Sequence, residues 1–98
     1  MATPEYRVEA TLNLTAQWGT YTVRGPEGDI VAGRGDTLEG IRRITRANAR
    51  EISDREAVEE WARARGRVEA DEHAQRKLGR QLAEDDIEFS SVRLEVNT

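Results

Sequence analysis

Residues 54–84 contain no proline, and a seam of positions recurs there at alternating spacings of four and three. The seam is Ala57, Trp61, Ala64, Val68, Asp71, Gln75, Leu78 and Leu82, apolar at both ends and polar in the middle. This is a helical heptad pattern. At about 1.5 Å per residue, an unbroken helix would reach roughly 45 Å. A chain of 98 residues folds as one domain, residues 1–98, and a rod of that length must project from it or pair. One reading is therefore a structural homodimer, with Trp61, Val68, Leu78 and Leu82 as the dimer seam. Gly66 is where the helix could break, and the unbroken version is the expectation.

The other elements are short. Residues 6–14 (YRVEATLNL) alternate apolar and polar, the period of a half-buried strand. Residues 20–24 (TYTVR) are β-branched and aromatic and predict a second strand. Pro26 and Gly28 suit a turn, so residues 30–32 predict a short return strand, with Gly33, Arg34 and Gly35 as a flexible connector. Asp36 with Glu39 is a capping-box pattern and starts a helix over residues 37–50. Ser53 with Glu56 is a second one, and Ile52 with Ala57 falls at hydrophobic-staple spacing. Residues 87–96 predict a closing strand, with a change of phase at Ser90 and Ser91. The expected fold is α+β: a small antiparallel sheet, in chain order β-β-β-α-α-β, with two helices packed on one face and the second helix long. The first and last strands are expected as neighbours.

Charged residues make up 35% of the chain, and its net charge is −4. That average field disfavours nonspecific binding to phosphate backbones. The absence of cysteine excludes disulfides and thiolate chemistry and suits a reducing compartment. No apolar run approaches the roughly 20 residues of a membrane span, and the N-terminus lacks the pattern of a signal peptide. The sequence reads as cytoplasmic, with no membrane partner.

Against that acidic background, residues 40–50 (GIRRITRANAR) carry four arginines and no carboxylate. At about 100° per residue, Arg42, Arg43, Arg46 and Arg50 share one side of a helix. Leu38, Ile41, Thr45, Asn48 and Ile52 gather opposite. The pattern predicts a helix that packs by one face and offers a guanidinium stripe to an anionic partner. A purely solvated face would not need the like-charge crowding at i,i+4. Trp18, before a glycine, is a further contact candidate, as a core lid or as an exposed anchor.

Other features are weaker. Carboxylates at Glu51, Asp54, Glu56, Glu59 and Glu60, with Glu84, Asp85, Asp86 and Glu88 before the last strand, would suit a phosphate mimic, but Arg55, Arg63, Arg65 and Arg67 interrupt the field. Residues 33–36 lack the glycine spacing and the lysine of a phosphate loop, and their Arg-Gly-Asp is read as coincidence. His73, the single histidine, is expected exposed on the long helix, with no metal-ligand spacing around it. Asp85 and Asp86 do not form an EF-hand pattern, and Ser90 and Ser91 lack a nucleophile elbow. No cofactor, metal site or catalytic residue is assigned, and the chain is not read as an enzyme.

The expected function is a non-enzymatic protein–protein interaction module. Its size and composition suit a phage or mobile-element accessory protein that inhibits a host complex such as a defence system. The alternatives are a small nucleic-acid-binding protein using the arginine stripe, and the homodimer above.

Overall fold

A computed structural model describes residues 4–96. The alternation in the first segment becomes β1 (Tyr6–Asn13), with Tyr6, Val8, Ala10 and Leu12 buried on one face. β2 (Trp18–Arg24) runs antiparallel to it and adds Gly19, Tyr21 and Val23 to the same face. A turn follows, closed by the Gly25 N–H donating to the Asp29 carbonyl at 2.9 Å, with Gly28 at φ 83°.

The return strand is longer than its sequence suggests. β3 (Ile30–Thr37) pairs antiparallel with β2 along its whole length, so residues 33–35 are strand and not connector. Gly33 and Gly35 pair with Thr22 and Thr20, which places them on the sheet face away from the helices. The helix cap moves with the strand: the Thr37 hydroxyl, not Asp36, accepts the Gly40 N–H at 3.0 Å. Asp36 instead accepts the Thr37 N–H at 2.7 Å.

The segment expected as one helix over 37–50 is two. α1 (Leu38–Thr45) ends where Arg46 turns left-handed at φ 58°, and its N–H donates back to Arg42 and Arg43. α2 (Ala47–Arg50) is a single turn, ended by Glu51 at φ 55°. The break drops Ala47 into the core with no exposure and redirects the chain into the next helix.

α3 (Asp54–Lys77) is continuous through Gly66. Ser53 caps it by accepting the Glu56 N–H at 3.1 Å, as its sequence predicts. Its end comes before residue 84, because Gly79 at φ 67° turns the chain away. The buried set is Ala57, Val58, Trp61, Ala62, Gly66, Ala70 and Ala74. Within it Val58, Ala62, Gly66, Ala70 and Ala74 follow at spacings of four, not the four-three alternation of a coiled coil. Small residues along that ridge let the helix lie close on the sheet, and a β-carbon at Gly66 would fall 2.8 Å from Val8.

The last strand is interrupted, as the phase change at Ser90 and Ser91 implies. β4 (Ile87–Phe89) and β5 (Arg93–Glu95) both pair with β1, at Tyr6–Val8 and at Thr11–Asn13. Both run parallel to β1. α3 carries the chain back to the end of the sheet from which β1 and β3 set out, so the strand after it must run their way. The sheet is therefore mixed, ordered β3-β2-β1 with β4 and β5 sharing the far side of β1. Helices cover one face of it, in an α+β fold.

Trp61 is the largest residue of the core. Its ring meets Tyr21 edge-on, centroids 5.0 Å apart at 75°, a favourable aromatic geometry.

Candidate functional site

The break at Arg46 dissolves the arginine stripe. Arg42 folds against the entrance of α3, its side chain only 21% exposed. It donates to Asn48 Oδ1 at 2.9 and 2.8 Å, to the Ile52 carbonyl at 3.1 Å and to Asp54 Oδ1 at 2.8 Å. Arg50 donates to both oxygens of Glu60 at 3.0 Å and to the Thr45 carbonyl at 3.2 Å. These two guanidiniums are struts between α1–α2 and α3. Arg43 makes only a 3.4 Å contact with Glu39, both side chains well exposed, a pairing of small energetic value. Arg46 is exposed, and its side chain has no polar partner among the described residues. Only Arg43 and Arg46 stay outside these struts, where four arginines were expected on one surface.

The proposed dimer seam is also divided. Trp61 and Leu82 are 2% and 7% exposed and belong to the chain's own core. Val68 and Leu78 are exposed. The ridge of α3 that packs on the sheet advances by four residues and carries the heptad positions between its ends out to solvent.

Trp18 lies on the open face of the sheet and is 41% exposed. Its indole rests on Gly35: a β-carbon there would meet Nε1 at 2.6 Å and Cζ2 at 2.9 Å. It is not a lid on the core but a half-exposed ring lying over the glycine of an edge strand.

His73 is half-buried rather than exposed. Its Nδ1 lies 2.7 Å from the Tyr6 hydroxyl, with the rings edge-on. Burial pushes the Tyr6 phenol above its ordinary value. Asp86 accepts the Ala83 N–H at 2.8 Å, which holds its carboxyl below the usual range. Arg80 adds to that effect and also bridges to Glu5.

Between α1–α2 and α3 runs a groove of about 640 Å³. Ile44 and Val68 form its apolar shelf, 53% and 54% exposed, with Ala64 beside them. Trp61 lies beneath. Glu69 lies at one side, where its Oε1 accepts the Tyr21 hydroxyl at 2.7 Å. Its Oε2 is buried and has no donor among the described residues. Burial, and then this hydrogen bond and charge from Glu69, push the Tyr21 phenol far above its ordinary value, so the donor proton stays in place. Arg50 and Glu60 neutralise each other at the rim. The charges left facing the groove are Arg65, Glu69 and Glu72, so it is anionic on balance.

Sequence reasoning missed this groove. Val68 read there as a member of a seam, and Ile44 was assigned to neither face of its helix. The signal for Val68 was the conflict between a seven-residue repeat and the small-residue ridge at spacing four. Neither a family model, nor a curated protein, nor a solved structure matches the chain.

Proposed function

We propose that the protein is a non-enzymatic module that binds another protein by holding a short segment of it in the Ile44–Val68 groove. The observation that carries this reading is an exposed apolar pair set in a groove whose remaining charge is anionic on balance. An apolar shelf loses water favourably when covered, at about 25 cal/mol per Å². Glu69 and Glu72 outweigh Arg65 in the groove, and a cationic side chain on the partner would complement that balance. Together they define the occupant: a segment with an apolar side chain for Ile44 and Val68 and an arginine or lysine directed at Glu69 and Glu72. Apolar anchors in a groove with polar flanks are the usual centre of such contacts. A segment captured in this way is withheld from its own complex, which is how so small a chain would act as an inhibitor.

A displayed peptide library panned on the protein tests the reading. Enriched peptides should combine an apolar anchor with a basic residue and should lose at least about tenfold in affinity, ~1.4 kcal/mol, for Val68→Glu. Glu72→Lys should weaken the same peptides. Enrichment of acidic peptides, no enrichment, or undiminished binding to Val68→Glu would each refute it. Circular dichroism confirms that the variants fold, since both positions are exposed.

A further inference from the structure

β3 is an edge strand. Among the described residues nothing pairs with its outer side. The Leu38 N–H donates to the Gln17 carbonyl at 2.8 Å, and this sets the phase of the β2–β3 ladder. Stepping by two along the register, Gly19 with Asp36, Tyr21 with Arg34 and Val23 with Ala32 are the hydrogen-bonded pairs. The backbone N–H and C=O groups of Gly33 and Gly35 therefore point outward. Edge strands are ordinarily blunted by proline, lysine or a covering element, because a bare edge templates pairing with another strand. Here two of the outward-pointing positions, Gly33 and Gly35, are glycines, which leave the backbone open to close approach.

We infer that β3 pairs antiparallel with β3 of a second copy about a two-fold axis at Gly35, joining two sheets into one. The charge pattern selects this partner and this register. A two-fold at Arg34 would oppose arginine to arginine, and one at Asp36 would oppose aspartate to aspartate. The axis at Gly35 opposes Arg34 to Asp36 twice, once on each side. It also keeps the outward-pointing groups in phase, with Gly35 facing Gly35 and Gly33 facing Thr37. Arg34 is exposed, and neither it nor Asp36 has an ion-pair partner among the described residues. Cross-strand pairs of unlike charge stabilise a ladder, and like charges oppose it. On the open face, the two Trp18 indoles, each laid over its own Gly35, come to either side of the axis. A half-exposed tryptophan fixed beside a bare edge is then accounted for. The interface uses none of the groove residues and stands or falls apart from the groove.

Sedimentation equilibrium on the full chain tests the pairing. The expected result is a dimer that weakens with added salt. Arg34→Glu should weaken it by about tenfold or more, because both cross-strand pairs turn repulsive. Arg34→Glu combined with Asp36→Arg should restore it, since the two charges have only exchanged places. Chains carrying Arg34→Cys, mixed with chains carrying Asp36→Cys, should cross-link under mild oxidation faster than either alone. Directly opposed residues in a non-hydrogen-bonded pair, about 4.5 Å apart, lie within disulfide reach. A monomer at millimolar protein, or a dimer indifferent to Arg34→Glu and not cross-linked by the mixed cysteines, would overturn the inference. Circular dichroism of each variant separates dissociation from unfolding.

Discussion

Gly66 sits on Val8: a β-carbon added to the glycine would lie 2.8 Å from both methyl groups of the valine. The contact fixes how closely α3 lies on β1, and it explains a glycine in the middle of a 24-residue helix. Gly66→Ala gains about 1 kcal/mol of helix propensity. It also forces a methyl into a core with no room for it, at a cost of about 1–3 kcal/mol. The net expectation is destabilisation, seen as a lower urea midpoint with an unchanged slope. Val8→Ala in the same chain should recover part of the loss, because the two side chains share one space. A more stable Gly66→Ala would show that the helix stands off the sheet.

Thr37→Ala tests where the first helix begins. The Thr37 hydroxyl accepts the Gly40 N–H at 3.0 Å, and its loss should cost about 1 kcal/mol. Thr37→Ser should retain nearly all of it. Chemical denaturation of the three proteins decides, and equal stability of wild type and Thr37→Ala would return the cap to Asp36.

That cap shows how far the sequence could be read. The alternation of residues 6–14, the Ser53 cap and the interruption at Ser90 and Ser91 follow from local chemistry, and all three are in the structure. The α+β class follows from the order of such elements. What failed had non-local causes. Asp36 reads as a cap only if the strand before it ends at Ala32, and β3 runs on because β2 offers it partners as far as Trp18. Gly33 and Gly35 look like a connector, yet they tolerate a strand, and Gly35 makes room for the Trp18 ring. The heptad on α3 was a coincidence of spacing, and packing on the sheet selected the ridge of small residues. Arg46 carries no helix-breaking signal. Its left-handed turn follows from the need to bury Ala47 and bring Ile52 back to the core. The groove depends on that turn, so it could not be found before the turn was known.

Arg42 and Arg43 are neighbours in sequence and should differ sharply in effect. Arg42 binds a carbonyl, an amide oxygen and a carboxylate at the junction of α2 and α3. Arg42→Ala should cost about 1–3 kcal/mol, since it strips a half-buried junction of charge-assisted hydrogen bonds. Arg43→Ala and Arg46→Ala should each stay within about 0.5 kcal/mol of wild type. Thermal melts of the three variants are sufficient. If all three were equally tolerated, Arg42 would be a surface residue, and the stripe would regain its claim as a docking surface.

The hydroxyls of Tyr6 and Tyr21 make the fold sensitive to alkali. Both phenols titrate above their ordinary value in the folded chain, chiefly through burial. A group whose folded value is raised stabilises the fold fully below its unfolded value, near pH 10, and loses that contribution as pH rises through the folded one. Stability should therefore be level through neutral pH and fall above about pH 10, by up to about 1.4 kcal/mol per pH unit for each tyrosine. Tyr21→Phe separates this from general alkaline damage. At neutral pH it should cost about 1–3 kcal/mol, because Glu69 then loses the donor to Oε1 while Oε2 is already without one. Above about pH 10 its stability should fall less steeply than that of wild type, because one phenol has been removed from the titration. Urea denaturation across the alkaline range measures both effects, and a Tyr21→Phe protein as alkali-sensitive as wild type would dissociate the loss of stability from this phenol.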